Sequence, residues 1–169
     1  DVMRRTGANL GISTDGDGDR FGILDHGARV VDSTTCLALI LDYLARRRKL
    51  KGGVGHTVAT SGLISAVARD HRLELVETEV GFKNFGPLLV DKTLEYAGEE
   101  SAGMAWSKHL PERDGVLACL LAAEMVAVEG KSMAELSQEL SQRVGSFSFR
   151  RTQIPLSDRT RAIFDQRMK

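Results

Sequence analysis

Cysteine is scarce: Cys36 and Cys119 are the only two in 169 residues. Both lie in apolar, helix-like runs rather than at short paired spacings, which argues against a disulfide framework or a zinc site and makes a reducing cytoplasm the expected location. Long hydrophobic runs are missing too. None approaches the roughly 18–20 residues of a membrane span, and no charged, apolar and small-residue succession opens the chain as a secretory signal would. Net charge is also absent, since 23 Lys and Arg balance 23 Asp and Glu. Without an overall field to recruit nucleic acid or an anionic membrane, neither is an expected partner, and an anionic ligand must be held by local groups. The sequence shows no internal repeat and no low-complexity segment.

What is present reads as alternating strands and helices. Asn9–Thr14 leads into a run dense in Asp and Gly. Phe21–Leu24 then resumes an apolar pattern that Gly27 breaks before Val30 and Val31, giving strand, loop and hairpin. Asp32 or Ser33 can cap a helix whose apolar positions Leu37, Ile40, Leu41 and Leu44 recur at helical spacing. It ends in the basic run Arg46–Lys49, where cations suit a helix C-terminus. Val54–Ala59, Leu73–Val76 and Leu94–Ala97 read as strands, Leu63–Ala68 and Val116–Val128 as helices. Ser132 with Glu135 forms a capping box for a helix reaching about Val144. Phe147–Ile154 reads as an extended connector, with Pro155 as punctuation. The alternation implies a layered α/β domain. Because Asp1 rather than Met opens the chain and 158–169 reads as a helix that simply stops, both ends are expected to be cuts in a longer polypeptide.

The densest chemistry is Asp15-Gly16-Asp17-Gly18-Asp19-Arg20. Carboxylates at alternate positions, separated by glycines that let the backbone curl, repel one another unless a cation compensates them. Hard oxygen donors favour Mg²⁺ or Ca²⁺. A solvated Asp/Gly turn is the plainer alternative. The EF-hand pattern does not fit: it wants Gly at its sixth position and Glu at its twelfth, where this chain has Arg20 and His26, and a strand rather than a helix follows.

Three further segments carry candidate binding groups. Gly98-Glu99-Glu100-Ser101-Ala102-Gly103 follows a strand, where α/β sheets tend to bind ligands, and carboxylates with a hydroxyl can read sugar hydroxyls; alone, such a run is often only a polar turn. Val80-Gly81-Phe82-Lys83-Asn84-Phe85 sets Lys83 beside two phenylalanines, which equally describes a surface lysine on an apolar anchor. Glu112-Arg113-Asp114-Gly115 precedes the long helix, and Arg113 can equally be a surface charge paired with Glu112 or Asp114. His56, His71 and His109 have no carboxylate or cysteine partner at ligand spacing, so solvent exposure or structural hydrogen bonding is the default for each, and His26 reads as a turn residue.

Taken in order, Asp15–Gly22, Val80–Phe85, Gly98–Gly103 and Glu112–Gly115 resemble the α-D-phosphohexomutase superfamily, of the phosphoglucomutase type, over about residues 9–144. The resemblance implies that Asp15, Asp17 and Asp19 hold Mg²⁺ together with a phosphoserine from an earlier domain, and that Arg20 helps form the catalytic pocket. It further implies that Glu99 and Ser101 contact hexose hydroxyls and that Lys83 enters the pocket. Arg113 stands where many members carry Lys; arginine is a poor proton shuttle but a good clamp for phosphate or alkoxide.

The implied reaction interconverts hexose 1-phosphate and hexose 6-phosphate through a bisphosphorylated intermediate, glucose 1,6-bisphosphate for a glucose enzyme. The Glu99-Glu100-Ser101 form favours glucose, with mannose as the alternative. On this reading residues 1–32 end domain 2, 33–145 are domain 3 and 146–169 begin domain 4, so the resemblance implies an α/β fold, a layered α/β/α domain with a mixed four-stranded sheet, plus partial flanking domains. The family's Ser-His-Asn-Pro nucleophile segment and its late distal-phosphate loop do not occur here, so the missing domains are expected partners and the chain alone is expected to be inactive. A non-catalytic module binding metal or sugar phosphate, and a plain structural domain, are the competing readings.

Overall fold

Period-two burial sets the first sheet. The computed structural model describes residues 2–148, 150, 152, 155 and 157–167. After a short helix α1 (Val2–Thr6), strands β1 (Gly11–Thr14), β2 (Phe21–Asp25) and β3 (Arg29–Val31) form an antiparallel meander, with Thr14 opposite Phe21 and Ile23 opposite Val31. Phe21, Ile23 and Asp25 alternate inward on the middle strand. The β2–β3 turn is a short 3-10 segment, His26–Ala28, with Gly27 at φ 72°, so His26 is a turn residue.

Helix α2 (Ser33–Arg47) begins where the Asp32 carboxylate accepts hydrogen bonds from the Thr34 and Thr35 amides. Its apolar positions Leu37, Ile40, Leu41 and Leu44 are fully buried. The second sheet has order β5-β4-β6-β7, built from β4 (Gly53–Thr57), β5 (Leu75–Thr78), β6 (Leu94–Glu99) and β7 (Gly103–Trp106). Strand β4 is parallel to β5 and β6, while β7 is antiparallel to β6, so the sheet is mixed.

Helices cover both faces. Tyr96 and Met104 join the large core made by α2, α3 (Gly62–Asp70), α5 (Gly115–Glu129) and α6 (Met133–Val144). Leu94, Ala97 and Ala105 instead join Phe82, Phe85 and Leu89 beneath the short helix α4 (Gly86–Val90). This is an α/β/α arrangement, thick on one side and thin on the other. Helix α7 spans Asp158–Arg167. Among the described residues, no helix is long and apolar enough to cross a membrane.

Several boundaries move from their sequence positions. The strand expected at 73–76 lies at 75–78, and the one expected at 54–59 stops at Thr57. Gly103–Trp106 is a strand that the Gly-rich run concealed. Gly86–Val90 is a helix entered through Pro87, a residue suited to a first helical turn. Of the expected connector 147–154, residues 149, 151, 153 and 154 lie outside the described ones.

Two buried carboxylates tie the elements together. Asp25 accepts the Met133 and Ala134 amides at 3.1 and 3.0 Å, adding to the Ser132–Glu135 capping box at the start of α6. Asp42 on α2 accepts from Arg46 Nε at 2.9 Å, from His71 Nε2 at 2.7 Å and from Arg143 of α6. Burial alone would raise the Asp42 pKa, but these partners outweigh it and hold the carboxyl below its usual range. Asp42→Asn is expected to cost about 2–3 kcal/mol in urea unfolding at pH 7, less than a fully buried pair because Arg46 and Arg143 side chains are 32% and 39% exposed. Since the folded pKa is depressed, this contribution is present above the carboxyl's unfolded value, about 3.9, and vanishes as pH falls through the folded one. The gap between the two proteins should therefore close in acid.

Candidate functional site

The Asp/Gly run forms the β1–β2 loop. It is closed by the Gly18 amide donating to the Asp15 carbonyl at 3.3 Å and the Arg20 amide donating to Asp15 Oδ1 at 3.1 Å, with Gly18 at φ 77°. One oxygen each from Asp15, Asp17 and Asp19 lies within 4.8 Å of the others. Oxygens around a Mg²⁺ at 2.1 Å would be about 2.9–4.2 Å apart, so a hard-oxygen set gathered this closely is of the size such an ion takes. Partial burial pushes the Asp15 carboxyl up, but the Arg20 amide and guanidinium outweigh it and lower its pKa. Arg20 Nε stands 3.9 Å from Asp15 and 3.8 Å from Asp19.

Close backbone contact fixes this loop against α5. The Gly115 amide donates to the Gly18 carbonyl at 2.9 Å, and a Cβ on Gly115 would sit 2.3 Å from the Arg20 carbonyl oxygen. On the other side, the Phe21 amide donates to the Ala102 carbonyl at 3.3 Å, and Arg20 forms a bridge with Gly103. The carboxylate loop and the β6–β7 turn therefore share an edge.

That turn carries Glu99 and Ser101. Glu99 is buried at the carboxyl end of β6; its Oε1 accepts the Gly81 amide and its Oε2 accepts the Ser101 hydroxyl, both at 2.9 Å. Glu100 turns the other way: its carboxylate accepts from Thr57 Oγ1 at 3.0 Å and its carbonyl from Ser33 Oγ at 2.9 Å. Lys83 lies on a 3-10 turn, Phe82–Asn84, exposed and without a hydrogen bond or ion pair to a described residue. The neighbouring rings of Phe82 and Phe85 are buried and meet edge-to-face at 5.2 Å.

Arg113 joins these segments. Its side chain crosses Gly103, where a Cβ would lie 2.7 Å from Arg113 Cδ. Its guanidinium carbon is 5.5 Å from the Phe82 ring centroid, and its Nη2 is 2.5 Å from Asp19 Oδ2. It pairs with Asp19, not with Glu112 or Asp114 as the surface-charge alternative had it. Asp114 is occupied otherwise, accepting the Leu117 amide as helix cap and His109 Nε2, both at 2.8 Å. His109 thus has a carboxylate partner five residues on. His71 has Asp42, and buried His56 meets Ser65 Oγ at 3.3 Å.

The structure brings Asp15, Asp17, Asp19, Arg20, Arg113, Glu99 and Ser101 around one region, with Lys83 on the turn whose Gly81 holds Glu99. Sequence reasoning passed over Phe82 as a seat for a cation and Gly115 as the contact beneath the loop. An aromatic beside Lys83 and a glycine opening an apolar helix were the only signals for them.

Residues 32–144 match the family model described as phosphoglucomutase/phosphomannomutase, α/β/α domain III. A phosphoglucomutase of Komagataeibacter xylinus is 31% identical over 163 residues, covering 92% of this chain and 29% of that protein. A phosphoglucosamine mutase of Campylobacter curvus is 26% identical over 135 residues, covering 79% and 30%. A Thermus thermophilus crystal structure assigned as a phosphomannomutase superposes with a TM-score of 0.74 at 33% identity, covering 80% of this chain and 31% of that one. The chain thus spans 29% and 30% of the length of these two curated relatives.

The Gly115 contact makes a direct test of the site's foundation. Gly115→Ala should destabilise the protein by about 1–3 kcal/mol and speed exchange of the amide at position 115, which donates to the Gly18 carbonyl. Gly16→Ala, where a Cβ meets nothing within 4 Å, is the control and should change stability by less than about 0.5 kcal/mol.

Proposed function

From the premise that the chain belongs to the phosphoglucomutase/phosphomannomutase family, we propose that it serves a phosphohexomutase that interconverts hexose 1-phosphate and hexose 6-phosphate, with glucose as the favoured sugar. The observation that carries this reading is the shared edge between three converging carboxylates and a turn bearing a buried Glu and a Ser. Residues 33–145 act in it as domain 3, flanked by the end of domain 2 and the start of domain 4; the family match over 32–144 supports that division.

In this reading Asp15, Asp17 and Asp19 hold Mg²⁺, which supplies charge neutralisation and polarisation of a phosphoryl oxygen. The chain's own groups do the remaining work. Arg20 lies beside the carboxylates, where its fixed positive charge stabilises negative charge developing on the phosphoryl oxygens. Glu99 is held by the Gly81 amide and accepts the Ser101 hydroxyl, so its orientation is set before a ligand arrives. A hexose hydroxyl can donate to its remaining lone pairs while Ser101 accepts from, or donates to, a neighbouring hydroxyl. Lys83, exposed on its turn, is free to reach a phosphate or sugar oxygen.

Arg113 presents a guanidinium, a group that clamps charge and does not shuttle protons. The phosphoryl group passes from a serine oxygen to a hexose oxygen, one P–O bond breaking as the other forms. Glucose 1,6-bisphosphate is the intermediate that returns its other phosphoryl group to the serine. That serine and the grip on the distal phosphate belong to the partner domains of the same polypeptide. A cytoplasmic location is part of this reading, supported by two buried, unpaired cysteines.

Two measurements test it. Adding Mg²⁺ and then glucose 1-phosphate to the isotope-labelled chain should move amide resonances first at 15–20 and then at 99–101; changes confined to other regions would reject the reading. The pure chain should show no mutase turnover, and conversion of glucose 1-phosphate by it would overturn the assignment of the nucleophile to another domain.

A further inference from the structure

The carboxylate loop is compensated by two arginines that are held very differently. Arg20 belongs to the loop itself, its side chain half exposed and its Nε no closer than 3.8 Å to an aspartate. Arg113 comes from the far side of the β6–β7 turn, is only 26% exposed and lies 2.5 Å from Asp19. Its stem is pressed across Gly103 and its guanidinium rests against Phe82, so the charge is fixed in place rather than swinging on a free chain. Its Nε is buried without a hydrogen-bond partner among the described residues, so the head group is positioned by packing and by the single contact with Asp19.

Resting on the metal-site reading above, we infer that Arg113 is a positioning residue that competes with the divalent ion for Asp19. It neutralises that carboxylate while the loop lacks a cation and yields it when one arrives. The physical reason is charge density. With Arg20 and Arg113 in place the three carboxylates retain about one net negative charge, and removing Arg113 leaves about two, which raises the attraction for a divalent ion. Because the stem of Arg113 spans Gly103 and Phe82, the same side chain makes occupancy of the carboxylate loop felt at the turn that carries Glu99 and Ser101. Arg113 acts on the reaction through Asp19 rather than through a proton.

Binding of Mn²⁺, followed by the loss of its free electron-resonance signal, tests this on the chain as it stands. Arg113→Met keeps an unbranched stem over Gly103 and an apolar contact with Phe82 but removes the charge; it should bind Mn²⁺ about fivefold more tightly than the unaltered chain. Arg113→Lys restores a cation and should return affinity towards the original. Asp17→Asn should abolish binding in each background. General structural damage at this position would weaken binding, the opposite sign. If Arg113→Met binds equally or less tightly while binding still depends on Asp17, the competition is overturned and the metal reading stands. If no protein shows binding that depends on Asp17, both fall.

Discussion

Three carboxylates share a small volume here because backbone, not side chain, is packed beneath them. The Gly18 carbonyl meets the Gly115 amide, and the Arg20 carbonyl occupies the space a side chain at 115 would need. The same first turn of α5 is capped by Asp114, which also receives His109, while Arg113 one residue earlier reaches over to Asp19. The loop's shape is therefore a consequence of where α5 starts. The repulsion stored in the acidic cluster is balanced within the chain by two guanidinium groups, and cations are the chemistry such a cluster can exchange.

Much of this was legible from residues alone. Helical spacing located Leu37, Ile40, Leu41 and Leu44, and the Ser132–Glu135 pair located the start of α6, because both signals are local and depend on the chain's own periodicity. The layered α/β class followed from alternation of elements, and the mixed four-stranded sheet from the family resemblance. Strand β7 escaped because Gly103 and Ser101 read as turn, and its pairing with β6 is a tertiary fact. Helix α4 escaped because it is five residues long and begins with Gly86-Pro87. The candidate site residues could be named from the sequence, but their mutual contacts could not: Arg113 finds Asp19 across 94 positions of sequence, 113 less 19, and no spacing rule anticipates that.

Helix α5 departs from the usual division into a wet face and a dry one. Its sequence is apolar nearly all round, and Val116, Leu120 and Val128 remain more than half exposed while Ala118, Leu121 and Ala122 are buried. A helix apolar all round is one that globular proteins usually bury on every side, and here Val116, Leu120 and Val128 lie uncovered by described residues. Strand β1 repeats the theme at the edge of the first sheet, hydrogen-bonded to β2 on one side only, with Ile12 half exposed. The Asp25 and Asp42 networks meanwhile hold α2, α3, α6 and the first sheet together from within.

The short splice between the two sheets, Phe21 to Ala102 and Arg20 to Gly103, has a mechanical corollary. Because it joins the acidic loop and the Glu99–Ser101 turn by main-chain bonds, the two surfaces are held at a spacing that the backbone sets. A shift of either surface must therefore carry the other with it, so the acidic loop and the Glu99–Ser101 turn move as a unit.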